Sequence, residues 1–463
     1  MKLRRGGLQL MLLALLVLLL GLTPYPKRFS GAMRQAEAHR AASEYEAALQ
    51  VYREAAEGWP TSPLPWLRMG EILLLQHRFI PATAVLLEAQ SLGEDVETWL
   101  LLGESYAGRG DWAGAMHNWL QAQALAPQDA RVYVALGRAS LAQGQFGQAA
   151  GYLTQALQLQ ASPKERDEAH ALLGRLTVQD PAIAESHFRQ AGDLDMLAVL
   201  QTVSAEPDPA RRATLWGIAF LQRQELALAR TYLAEAAALR PDDPEVLAYL
   251  AHTLDQLGET VEARELLERA LELDPDSVLA AYFLGTHHRL VGNVEAAQAV
   301  LWEAVLRDPE NAALRVEMAE TFIDQADYPN AEEWYQSAVD AAPDRIDFRR
   351  ALVHFYLDHL YKVAEEGIPA AQALVSLEPE NAEAHDLLGW AYQLSGQQEA
   401  AAEALLQALA LDPDLVSAHF HLGSLYFFSG RPAQAQVYLQ RAADLDTGGY
   451  FRKRAEALLR DLN

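Results

Sequence analysis

Trp99-Leu100-Leu101-Leu102-Gly103-Glu104-Ser105-Tyr106, followed by Ala115, Trp119, Ala122 and Pro127, is the stretch on which the fold turns. Large apolar residues three and four apart share one face of a helix, and Gly103 sits among them on that face. A second helical pattern with small residues at Ala115 and Ala122 follows, and Pro127 stops it. Two helices with small residues at matching levels pack closely against each other, so the stretch predicts a helical hairpin.

The same pattern recurs along the chain. The small position of the first helix falls at Ala36, Gly70, Gly103, Gly137, Gly174, Gly217, Ala251, Gly285, Ala319, Val353, Gly389 and Gly423. The steps are 33 to 37 residues, except for one of 43 between Gly174 and Gly217. Paired alanines of the second helix keep phase, as in Ala149/Ala156, Ala263/Ala270 and Ala401/Ala408. Prolines 60, 127, 241, 275, 309, 343, 379 and 413 close units, and Gly144, Gly258, Gly292, Gly396 and Gly430 stand where first helices end. One such hairpin cannot bury enough apolar surface to stand alone, so the units must stack.

The spacing W-x2-L-G-x2-Y, then A-x3-aromatic-x2-A-x4-P, resembles the tetratricopeptide repeat (TPR), a 34-residue helix–turn–helix. The resemblance runs over residues 29–447. It implies an all-α solenoid of about twelve repeats whose first helices line a protein-binding groove. Two units depart from the pattern. Around Gly174 the second helix arrives two residues early, and 192–209 then reads as a joint with a short helix. Around Val353 the small residue is missing and the register slips before Pro379. The expected organisation is therefore five repeats over 29–191, the joint, seven repeats over 210–447, and an amphipathic capping helix at 448–463.

Residues 1–28 read differently. Lys2, Arg4 and Arg5 precede an apolar run from Leu8 to Leu22, closed by Pro24, Pro26, Lys27 and Arg28. The run is near the minimum that spans a bilayer, and no small-residue cleavage site follows it well. An uncleaved transmembrane signal-anchor is expected, with secretion after signal cleavage as the alternative. Basic residues flank both sides, so orientation follows the default for a short tail. In a bacterium that sets the array outside a single-pass anchor in the cytoplasmic membrane.

Composition removes whole classes of function. There are 37 Lys and Arg against 63 Asp and Glu, a net charge of −26. That field repels phosphate backbones, so nucleic acid is not an expected partner. The chain has no cysteine, which excludes thiolate catalysis, disulfides and cysteine–zinc sites. No phosphate loop, zinc-peptidase helix or nucleophile elbow occurs. The thirteen histidines lack the i, i+4 spacing that converges on a metal, so neither enzyme, metal nor cofactor is expected.

A binding surface remains. Mapped residue by residue, the groove positions of TPR proteins imply Leu64, Leu67, Leu74 and Leu75 near the N-terminus, then Arg131, Arg138, Arg175 and Arg211. Near the C-terminus they imply Trp390, Phe420, Phe427 and Phe428, aromatic anchors for apolar side chains of a partner protein. The lysine/asparagine clamp with which some TPR domains grip a carboxylate terminus is missing. The expected role is a membrane-tethered scaffold in envelope assembly, secretion or polysaccharide export; the alternative is a recruiting subunit for a glycosyltransferase or synthase.

Overall fold

The computed structural model describes residues 27–446 and 449–462; among them are twenty-six α-helices and no strand. The chain forms two compact units that divide between Leu125 and Ala126. The first holds three hairpins: α1 Lys27–Ala41 with α2 Tyr45–Gly58, α3 Leu64–Leu75 with α4 Phe79–Leu92, and α5 Val96–Ala107 with α6 Trp112–Leu125.

The second unit continues with α7 Ala130–Ala142 and α8 Phe146–Gln158, then α9 Pro163–Leu176 and α10 Pro181–Ala191. The single helix α11 Leu194–Ser204 follows. The hairpins resume as α12 Pro209–Gln222 and α13 Leu226–Leu239, α14 Pro244–Gln256 and α15 Thr260–Leu273, α16 Val278–Leu290 and α17 Val294–Arg307. The last four elements of this kind are α18 Ala312–Asp324 with α19 Tyr328–Ala341, α20 Ile346–Asp358 with α21 Ile368–Leu377, α22 Ala382–Leu394 with α23 Gln398–Leu411, and α24 Val416–Phe428 with α25 Pro432–Leu445. Helix α26, Tyr450–Leu462, is the last described helix.

The small residues do what their spacing requires. A Cβ built on Gly70, Gly137, Gly285 or Gly389 would lie within 2.7 Å of the leucine sixteen residues on, respectively Leu86, Leu153, Leu301 and Leu405. All four leucines are fully buried, so each glycine is the slot that receives the facing helix. Gly174 instead meets Phe188, fourteen residues on, which is the early arrival read from the sequence.

Every hairpin except α9–α10 turns through a left-handed residue, closed by a hydrogen bond from the residue after it to a carbonyl five positions back, as in Gln145 N to Ser140 O at 2.8 Å. Glycine fills the turn at 110, 144, 258, 292, 396 and 430, whereas Ser43, His77, Gln224 and Ala326 occupy it with side chains. Side-chain caps open many first helices: Asp95, Asp129, Ser162, Asp208, Asp243, Ser277, Asn311 and Asn381 each accept a backbone N–H of their first turn. Part of the chain's acidity is thus spent at helix N-termini, where the dipole favours it.

Helix α11 is not a loose connector. Its Met196, Leu200 and Val203 are buried in the same core as Leu153, Phe188 and Phe220, so packing is continuous through residues 192–209. The hairpin around Val353 is rebuilt. With valine in the slot, Leu360 and Lys362 both take left-handed conformations and a π-turn, Val363–Gly367, leads into α21. Helix α26 closes the final core: Ala455 is buried, and Leu458, Leu459 and Leu462 pack beside Leu439 and Ala443. The buried Arg452 pins it, its Nε donating to Ala443 O at 2.6 Å and its backbone N–H to Asp446 at 2.8 Å.

The membrane segment expected at 1–28 falls, but for its last two residues, outside the described residues. Lys27 and Arg28, read from the sequence as closing that segment, begin α1. Among the described residues no helix is long and apolar enough to cross a membrane.

Candidate partner-binding site

The first helices of successive hairpins lie side by side, and in the second unit their shared face is uneven. Along its middle, charge is already matched. Arg289 donates to Glu317 at 2.7 Å, to Asp324 at 2.8 Å and to Glu320 at 3.2 Å, and these carboxylates hold its guanidinium well above its ordinary value despite burial. Of the arginines singled out from sequence, Arg131 pairs with Asp129 at 2.8 Å and Arg138 with Glu168 at 3.5 Å. Arg175 points between Asp193, at 3.5 Å, and Glu225, at 3.1 Å. Burial pushes the Glu225 carboxyl up, with Arg175 and Arg223 pulling the other way. Arg211 pairs with Glu206 at 3.2 Å. These guanidinium groups serve neighbouring carboxylates of the same unit.

At the C-terminal end the face opens into a cavity of about 550 Å³. Four helices build it. The side chains come from His354 and Asp358 on α20, Glu383, Asp386, Leu387 and Trp390 on α22, Ser417, Phe420 and His421 on α24, and Tyr450, Phe451 and Arg454 on α26. Within each helix these residues are one, three or four apart, so one stripe of each turns toward the cavity. Two of the sequence-selected anchors, Trp390 and Phe420, meet here.

The floor is a buried hydrogen-bonded pair. His421 Nδ1 and Asp386 Oδ1 lie 2.8 Å apart, with side chains 7% and 3% exposed. The pair joins two hairpins, so it fixes their register while filling hydrogen-bonding demand that burial would otherwise leave unmet. Trp390 lies flat on the imidazole, with centroids 4.8 Å apart and planes 11° from parallel. Phe451 meets the same imidazole edge-on at 5.9 Å and tilts against Phe420 at 5.3 Å. The aromatic walls are therefore braced by their neighbours within the chain itself.

The other selected residues lie elsewhere. Phe427 and Phe428 sit at the far end of α24, stacked edge to face at 5.1 Å, with Phe428 72% exposed. Leu64 and Leu67 are half-buried on α3 of the first unit, Leu67 and Leu74 packed on its core, and Leu75 is exposed. Sequence reasoning missed Asp386, His421 and the wall from α26. The i, i+3, i+4 stripe Glu383/Asp386/Leu387/Trp390 was a usable signal for the first. Nothing in the sequence set the angle at which α26 crosses α24.

Models of the tetratricopeptide repeat match residues 18–63 and 100–166, 220–285 and 289–354, and 416–447, and a TPR-repeat model matches 391–430. Together they span more than half of the chain. Superkiller protein 3 of Schizosaccharomyces pombe is 27% identical over 128 residues, which are 28% of this chain and 9% of that protein; the chain thus spans a small part of that relative's length. Among solved structures, yeast Tom70 aligns over 94% of this chain and 96% of its own at 14% identity, with a TM-score of 0.43. A tetratricopeptide repeat protein from Parabacteroides merdae aligns over 55% of this chain and 98% of its own at 14% identity, TM-score 0.42. YrrB, described as a TPR protein with an unusual peptide-binding site, aligns over 42% of this chain and 99% of its own at 18% identity, TM-score 0.32.

Proposed function

We propose that this chain, which belongs to the tetratricopeptide-repeat family, is a non-enzymatic scaffold that holds a segment of a partner protein against the first-helix face of its second unit. The observation that carries the reading is the cavity between α20, α22, α24 and α26. Its aromatic walls pack against one another, the condition under which a few residues supply most of a binding energy. Elsewhere along the face, polar side chains satisfy one another, which favours positioning of an extended segment over tight capture. Phe428, exposed beyond the cavity, is the next apolar contact along α24.

Residues 1–28 are the tether in this reading. Their apolar run between basic flanks supports a single membrane crossing, with the repeats on the extracytoplasmic side and a role in envelope assembly, secretion or export. Crosslinking of the full chain in membranes followed by affinity recovery tests the proposal. The Trp390→Ala/Phe420→Ala variant is expected to lose about tenfold of its crosslinked partner, with its helical circular dichroism unchanged. Recovery equal to that of the parent chain would remove the cavity as the anchor.

A further inference from the structure

Resting on that reading, we infer that the C-terminal cavity selects an arginine side chain of the partner segment rather than a purely apolar one. Aromatic faces and carboxylates occur together here, and they favour one kind of group. Asp358, Glu383 and Asp386 bring three carboxylates to the lining, against the single guanidinium of Arg454. Trp390, Phe420, Tyr450 and Phe451 bring aromatic surface. An aromatic face attracts a cation through its quadrupole, and a carboxylate beside it adds charge and hydrogen-bond acceptors.

The rim carboxylates have capacity to spare. Asp358 meets His354 only at 3.5 Å, and Glu383 meets Arg350 at 3.4 Å, both beyond good hydrogen-bond length. Arg350 has its better bond elsewhere, donating to Glu378 at 3.0 Å. Asp386, by contrast, is committed to His421 and contributes field rather than a contact.

The chain itself shows what the rim accepts. The Arg454 guanidinium lies over the Tyr450 ring, 4.0 Å from its centroid. A planar guanidinium stacks on such a ring and forks between two carboxylates, which a compact ammonium cannot do equally well. The volume, about 550 Å³, admits a long side chain with its flanking backbone. The net charge of −26 draws a basic segment toward the face before it docks.

Fluorescence anisotropy of the full chain in detergent, with labelled nine-residue Gly/Ser/Ala peptides carrying one central arginine, lysine, norleucine or glutamate, tests this. The arginine peptide is expected to bind tightest and the glutamate peptide not at all. Asp358→Asn or Glu383→Gln should each weaken the arginine peptide about three- to fivefold and leave norleucine unchanged. Trp390→Ala should weaken it about tenfold. Arg454→Ala, which removes the resident cation, should tighten it about two- to threefold. That gain is a result no misfolded variant would give. Norleucine binding as tightly as arginine, or lysine binding more tightly, overturns the arginine selection but leaves an anchoring cavity. No binding of any peptide, with Trp390→Ala/Phe420→Ala also leaving partner recovery intact, overturns the anchoring reading as well.

Discussion

Gly103→Ala, a change of one methyl group, tests the packing on which the whole array rests. The added Cβ would lie 2.0 Å from Trp119 Nε1 and 2.4 Å from its Cδ1, well inside contact distance. Trp119 is fully buried, and its indole N–H donates to Leu100 O at 3.1 Å. The ring must therefore shift, which costs about 1–3 kcal/mol by overpacking. If it shifts far enough to lose Leu100, a buried donor is orphaned for about another 1–3 kcal/mol. Better helix propensity returns about 1 kcal/mol. A net loss of about 3 kcal/mol is expected from these terms together. Trp119→Leu alone should cost about 2–3 kcal/mol through a cavity. The double variant should cost no more than Trp119→Leu, because leucine packs against alanine at Leu267 and Ala251 in this same chain. The expected coupling is about 3 kcal/mol in favour of the pair. Repeat arrays can open in segments, so the measurement is hydrogen exchange of the amides of α5 and α6. Additive losses, or a Gly103→Ala effect below about 0.5 kcal/mol, would refute the close-approach argument.

Two further outcomes follow from the backbone and the histidines. Ala326 turns its hairpin at φ 57°, so Ala326→Gly should stabilise by about 0.5–1 kcal/mol. Gly258 sits at φ 82° with open space around its Cα, so Gly258→Ala should cost about 1 kcal/mol; urea midpoints of the two variants must move in opposite directions. Burial holds His170, His187, His252, His288 and His419 below the ordinary histidine value. The unfolded chain then binds more protons than the folded one once pH drops through the unfolded value of about 6.5, so these groups make stability fall with acidification. His170 and His187 face each other with Nδ1 atoms 2.9 Å apart, where two charged rings would repel. Acid also relieves the chain's negative self-repulsion, so the informative comparison is between the parent and His170→Gln/His187→Gln. The variant should lose less of its melting temperature between about pH 7.5 and 5.5, and an identical loss would show that the pair plays no part.

What was legible in the sequence is what repeats. Gly70 against Leu86 and Gly389 against Leu405 are one contact made at different places, and a periodic requirement leaves a periodic trace. The hairpin turns were read only where glycine marks them. His77, Gln224 and Ala326 adopt the same left-handed conformation, but the hydrogen bond closing the turn comes from backbone, so their side chains carry no mark of it. The loss of the small residue at Val353 warned of disturbance but not of its form. A valine in the slot prevents close approach, and the backbone absorbs the difference after the helix, in the π-turn Val363–Gly367. For the site, Trp390 and Phe420 followed from their place on first helices. Asp386 and His421 are thirty-five residues apart and become partners only through the stacking of two hairpins.

The position of the cavity has a physical cause. Inside an array each first helix is flanked on both sides, and its polar groups find neighbours one repeat away, as Arg289 does with Glu317, Glu320 and Asp324. After α25 the described chain continues as one helix, and the apolar side of that hairpin takes this helix as its cover. Helix α26 contributes Ala455, Leu458 and Leu459 to this core. Its N-terminal turn, pinned through Arg452, carries Tyr450, Phe451 and Arg454 across to the first-helix side. One short helix thus ends the core and raises the fourth wall of the cavity. On the proposed reading, stability and binding are coupled there. A segment bound against Phe451 would hold α26 down, and loosening α26 from Ala443 would dismantle the wall while the hairpins behind it stay folded.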